Sequence, residues 1–248
     1  MMINDCSILN IYNKKDTSSE LISQMLYGEK FKILKKYNNW LKVKTSYDGY
    51  VGFIKNKKYS KDIINTHKII KLKSNVYLKK NKKFKLSTLS LPFNSRIRIL
   101  KENKKFIKFS KNKWINKKDV RDINHVEKKF YRIYKIFLNT KYLWGGKSFR
   151  GVDCSALIQS FYYYNNTYCP RDTVDQIKFF KKKNKKLDKA GLLIFWKGHV
   201  ACIISKKKLI HAYGPKKKVL TMNINKTIKE IEEKSQLRIK GIKKLYAV

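Results

Sequence analysis

The period of the hydrophobic pattern changes near residue 125, and no other feature of the chain constrains its fold as much. Before that point, short runs with near two-residue alternation recur between turn residues. Lys30-Phe31-Lys32-Ile33-Leu34, Trp40-Leu41-Lys42-Val43-Lys44 and Tyr50-Val51-Gly52-Phe53-Ile54 are separated by Asn38-Asn39 and Asp48-Gly49. Such alternation suits half-buried strands, and Asp-Gly between two of them suits a tight turn. A second set follows at residues 69–72, 75–78, 95–100, 106–109 and 113–115, as if a small all-β unit were repeated. Beyond the change, Val126, Phe130, Ile133, Tyr134, Phe137 and Leu138 recur at steps of three and four, as on one face of a helix. Residues 155–164 carry another apolar helical run, and 192–196, 200–205 and 209–212 read as strands. The pattern predicts all-β modules at 1–60 and 61–124, then an α+β domain at 125–248 with a small antiparallel sheet.

With 248 residues, 42% of them hydrophobic, the chain can bury cores without staples. Lys interrupts every apolar run, so nothing approaches the roughly 20 apolar residues of a membrane-spanning helix. The start, MMINDCSILN, lacks the basic stretch and apolar core of a secretory signal, which makes a cytoplasmic location the expectation. A net charge of +43 raises nucleic-acid binding as a hypothesis. However, 53 of the 60 basic residues are Lys and only seven are Arg, spread along the whole chain. Bidentate recognition of bases and phosphates calls for Arg. A solvated surface, a monomeric chain and no specific nucleic-acid partner are therefore expected. Cys6, Cys154, Cys169 and Cys202 are too few and too irregularly spaced for a disulfide framework or a zinc ribbon, which leaves free thiols.

Chemistry concentrates in residues 142–159, Tyr-Leu-Trp-Gly-Gly-Lys-Ser-Phe-Arg-Gly-Val-Asp-Cys-Ser-Ala-Leu-Ile-Gln. Cys154 stands after a Gly-containing loop, at the first turn of an apolar helix. There the helix macrodipole and unpaired N–H groups favour thiolate and can stabilise an oxyanion. A thiolate attacking an amide needs an acid for the leaving amine, and His199 in Lys197-Gly198-His199-Val200 supplies one at the start of a strand. His211, at the end of the next candidate strand, is placed to orient the imidazole if a turn near Lys206-Lys207-Lys208 makes the two strands antiparallel neighbours.

This set closely resembles the NlpC-like family of γ-D-glutamyl-diamino acid endopeptidases. The resemblance runs from Tyr142 to the C-terminus through Tyr-x-Trp-Gly-Gly, Asp-Cys-Ser, Pro170-Arg171-Asp172-Thr173 with Gln176, Gly-His-Val and the later His-Ala. It implies an α+β, papain-like catalytic domain with Cys154 as nucleophile, His199 as base and acid, and His211 as orienting residue. It also implies that Tyr142 assists at the oxyanion or the substrate carbonyl and that Asp153 and Ser155 help recognise the substrate's amino end. Trp144 and Arg171 are candidate substrate contacts or loop anchors. Peptidoglycan peptides of the form L-Ala-γ-D-Glu-diamino acid are the implied substrates, with no metal or cofactor. Two departures stand out: Ala156 where the family usually has Gly, and Leu192 where an Asp commonly precedes the strand. Segments such as Asn39-Trp40-Leu41-Lys42-Val43 and Asp48-Gly49-Tyr50-Val51-Gly52 resemble tandem bacterial SH3-like barrels.

The same Cys-His machinery serves amidases and acyltransferases. A degenerate domain would leave a basic wall- or nucleic-acid-binding protein, although intact Cys154, His199 and His211 argue against degeneration. Cys169 and Cys202 read as small buried hydrophobes, and His67 and His125 as structural.

Overall fold

The computed structural model describes residues 1–81, 83–182, 187 and 189–246. Its contacts divide the chain into a first unit of Met1–His125 with Lys147–Phe149, and a second of Val126–Gly146 with Arg150–Val248.

In the first unit the alternating runs become strands because their apolar sides share cores. Leu21–Leu26, Ile8–Tyr12, Val51–Lys55, Trp40–Thr45, Lys30–Lys36, Met2–Ile3 and Ser60–Lys61 lie in that order in one antiparallel sheet. Ile11, Met25, Phe31, Leu41, Val43, Ile54 and Tyr59 fill its core. Asp48-Gly49 turns the chain as expected, with Gly49 at φ +70° and Asp48 accepting the Thr45 hydroxyl. A separate core of Ile69, Val76, Leu91, Ile97, Ile107, Phe109, Ile115 and Val120 organises the later strands.

Two readings of that later region change. Lys83–Pro92 is a ten-residue strand that the hydrophobic pattern does not mark, because it is held by pairing with Lys73–Lys80 while its first seven residues stay outside the core. Residues 95–100 are not one strand: Arg96–Ile97 pairs with His67–Ile69, whereas Lys101–Glu102 pairs with Phe106–Ser110.

In the second unit, α1 is Phe130–Ile136. Val126, expected on its apolar face, is 47% exposed and outside the helix. The Glu127 N–H donates to Asn165 Oδ1 and the Asn165 amide donates back to the Glu127 carbonyl, an alternative to the first helical turn. The helix α2 (Cys154–Tyr164) is buried at all eleven positions. Further on come α3 (Thr173–Phe179) and α4 (Ile224–Ser235).

The strands of this unit are β1 (Lys181–Lys182), β2 (Leu192–Trp196), β3 (His199–Ile203), β4 (Lys208–Tyr213), β5 (Lys218–Asn223) and β6 (Gly241–Lys244). They form an antiparallel sheet in the order β1-β6-β2-β3-β4-β5. Leu192, Ile194 and Trp196 share a core with Ile224 and Ile231 of α4. Leu193 and Phe195 alternate to the opposite face, and a strand buried on both faces reads as a continuous apolar run. Against β3 and β4 packs α2, which brings the start of that helix to the hairpin carrying both candidate histidines.

Candidate active site

The start of α2 is built by Asp153. Its side chain caps the helix, with Oδ1 accepting the Ala156 N–H at 2.8 Å. Oδ2 accepts the Gly145 N–H at 2.9 Å, which explains the paired glycines of the preceding loop. Gly145 has φ +72°, and a Cβ on Gly146 would sit 2.5 Å from the Gly151 carbonyl oxygen. Arg171, 3% exposed, lies across the same carboxylate with Nη1 to Oδ1 at 3.0 Å and Nη2 to Oδ2 at 2.5 Å. Its Nη1 also donates to Ser155 Oγ at 2.9 Å, and the Ser155 hydroxyl donates to Asp153 Oδ1. The Gln176 amide donates to the carbonyls of Ser155 and Pro170, tying the Pro-Arg-Asp loop to α2.

Cys154 follows this cap and is itself 3% exposed. Its Sγ lies 3.8 Å from the Gly198 carbonyl oxygen and accepts the Val200 N–H, so the sulfur sits against the backbone on either side of His199. The two imidazoles meet on adjacent strands, with His199 Nε2 3.0 Å from His211 Nδ1. His211 is fully buried and stacks on Tyr213, ring centres 4.6 Å apart and planes 12° from parallel. Its Nε2 faces Met222 Sδ at 3.3 Å. Trp196 covers His199 at 5.6 Å between ring centres. Tyr142 is half-buried, bridging to Val152 two residues before the thiol, and Trp144 is 53% exposed.

Burial pushes the Cys154 thiol up to about 12, with the charge of Asp153 adding to it. The N–H groups of Val200 and Ser155 and the guanidinium of Arg171 act the other way. Burial alone takes His199 down to about 4, and burial together with the neighbouring His199 holds His211 well below the ordinary range. The Tyr142 phenol is held protonated, first by burial and then by the nearby charges of Cys154 and Asp153. The helix terminus favours thiolate, whereas desolvation favours the thiol and the neutral imidazole. Such a pair can still act if the proton leaves the sulfur as it attacks.

The structure thus brings Cys154, His199 and His211 to one end of α2 and the β3–β4 hairpin. Asp153, Ser155 and Arg171 are gathered beneath them. Among the described residues no group of three His, Cys, Asp or Glu side chains could hold a metal ion. Sequence reasoning missed Tyr213 and Met222. Tyr213 was within reach, since residues two apart on a strand share a face with the intervening residue turned away. Met222 depends on the β4–β5 register, in which it lies opposite Leu209, and no local pattern announces that.

Residues 139–236 match the NlpC/P60 family, and residues 11–58 match the bacterial dipeptidyl-peptidase Sh3 domain. The chain is 29% identical over 245 residues to a gamma-D-glutamyl-L-lysine dipeptidyl-peptidase of Bacillus subtilis (strain 168), covering 87% of this chain and 80% of that protein. It is 26% identical over 234 residues to dipeptidyl-peptidase 6 of Lysinibacillus sphaericus, covering 82% and 84%. A crystal structure of an NlpC/P60 family protein from Bacillus cereus ATCC 10987 superposes with a TM-score of 0.83 at 21% identity, covering 98% of each chain, and so shares the fold. A papain-like domain, whose residues 139–236 match the NlpC/P60 family, follows an SH3-like β domain, and the chain is a peptidase-type hydrolase.

Proposed function

We propose that the chain hydrolyses the amide between γ-linked D-glutamate and the following diamino acid in peptidoglycan-derived peptides, releasing L-Ala-γ-D-Glu. The observation that carries this reading is the placement of the Cys154 sulfur against the backbone flanking His199, whose Nε2 is held by His211. The names of the relatives support γ-D-glutamyl-L-lysine as the bond.

In this mechanism the Cys154 sulfur attacks the carbonyl carbon while its proton passes to His199. The Tyr142 phenol, kept protonated, donates to the carbonyl oxygen as negative charge develops there. Collapse of the tetrahedral species expels the amine of the diamino acid, which takes the proton from His199. Water, deprotonated by His199, then cleaves the thioester, releasing the dipeptide carboxylate and restoring the thiol. His211 orients the His199 ring. The Asp153 carboxylate is filled by five contacts from Gly145, Ala156, Ser155 and Arg171. We therefore assign Asp153, Ser155 and Arg171 to holding the helix start and the cleft floor, and exposed Trp144 to substrate contact.

Domains at 1–60, 61–124 and 125–248, and turnover of free wall peptides by a monomer in a reducing compartment, complete the reading; the four free thiols support the last point. Mass-spectrometric product analysis of L-Ala-γ-D-Glu-L-Lys tests it. Free lysine and L-Ala-γ-D-Glu are expected, and cleavage of a different amide, or of none, would overturn it.

A further inference from the structure

His211 makes a contact that decides which of its ring nitrogens carries the proton. One side of the ring, Nδ1, is 3.0 Å from His199 Nε2, and the other, Nε2, is 3.3 Å from Met222 Sδ. The ring is fully buried and clamped by stacking on Tyr213, so neither nitrogen turns out to water. Met222 is fixed opposite Leu209 in the neighbouring strand and packs against the core of this unit. A thioether offers lone pairs and has no hydrogen to give. An unprotonated Nε2 facing it would set lone pair against lone pair where no solvent compensates, whereas Nε2–H makes a weak N–H···S bond.

The rest follows around the chain of contacts. A neutral His211 with hydrogen on Nε2 presents Nδ1 as an acceptor, and His199 must fill it with Nε2–H. Neutral His199 then has its lone pair on Nδ1, the nitrogen left for the Cys154 thiol. The same order serves after proton transfer, since His199 carrying hydrogen on both nitrogens still donates through Nε2. The opposite tautomer of His211 would make His199 Nε2 the acceptor and put hydrogen on Nδ1, which could then take no proton from the thiol.

We propose that Met222 is a positioning residue whose sulfur selects the Nε2–H tautomer of His211 and thereby leaves the His199 Nδ1 lone pair free. This rests on the reading of Cys154 and His199 as the reacting pair. Met222→Leu removes the acceptor at similar volume, and Met222→Gln puts back an oxygen that can accept. Nitrogen-15 NMR of the histidine rings in the full-length resting protein reads the tautomers directly, and steady-state kinetics on L-Ala-γ-D-Glu-L-Lys reads the consequence.

Wild type is expected to show His211 protonated at Nε2 only. Met222→Leu is expected to mix the tautomers and lower kcat about three- to tenfold with KM within about twofold, as for a group that acts on the transition state rather than on binding. Met222→Gln is expected to recover most of both signals. A wild-type spectrum with hydrogen on His211 Nδ1 overturns the proposal even if Met222→Leu does not fold, and so does a Met222→Leu variant with unchanged ring signals and kcat. Such results alongside an inactive Cys154→Ala would leave the catalytic reading standing. Peptide cleavage by Cys154→Ala would remove that reading whatever the spectra show.

Discussion

The guanidinium of Arg171 lies fork to fork on the carboxylate of Asp153, both buried, one residue before the candidate nucleophile. That ion pair fixes the helix cap and offsets the charge that Asp153 imposes on the thiol. Arg171→Met should leave Asp153 as an unpaired buried charge and destabilise the protein by about 3–5 kcal/mol. Chemical denaturation of the second unit checks this; a loss below about 1 kcal/mol would mean that the pair contributes little.

His211→Ala should lower kcat by about 10²- to 10³-fold with little change in KM, because an orienting residue acts on the transition state more than on binding. His211→Gln, which can still accept from His199 Nε2, should lose less. Equal losses in the two variants would argue against an orienting role.

Stability should fall in acid through the two histidines. His199 is held at about 4 against an ordinary 6.5, so between those values the unfolded chain binds more protons than the folded one. Stability therefore rises with pH across that window and is lost as pH falls from 6.5 towards 4. His199 contributes about 3 kcal/mol, and the lowered His211 acts in the same direction. Denaturation midpoints at about pH 7.5 and 4.5, compared between wild type and His199→Gln, isolate the term. The variant should show the smaller drop, and equal drops would contradict the assignment.

With the thiol raised and the imidazole lowered, the resting site at neutral pH should hold no thiolate. The difference in ultraviolet thiolate absorbance between wild type and Cys154→Ala should be close to nil. A full thiolate signal would mean that a resting ion pair overcomes the burial of the sulfur.

Much of the second unit was legible where one local rule sufficed. Leu192–Trp196 is a strand because its apolar run is short and β-rich, and the helix from Cys154 follows from an apolar helical run after a Gly-containing loop. The meeting of His199 and His211 needed only that consecutive strands pair. Other features were settled by partners distant in sequence. Lys83–Pro92 is a strand because another strand covers its hydrogen bonds, and Val126 lies outside α1 because Asn165 captures the preceding turn. The helix start at Cys154 is legible, but periodicity does not report how completely its sulfur is buried. Met222 escaped notice for a similar reason, since a methionine in a strand carries no sign of the ring it will face.

The central claim is that Cys154 is the nucleophile for a γ-D-glutamyl amide. The most direct test incubates L-Ala-γ-D-Glu-L-Lys with the wild-type protein and, in parallel, with folded Cys154→Ala, and follows both by mass spectrometry. The account predicts release of L-Ala-γ-D-Glu by the wild type alone. Release of the same dipeptide by Cys154→Ala would contradict it.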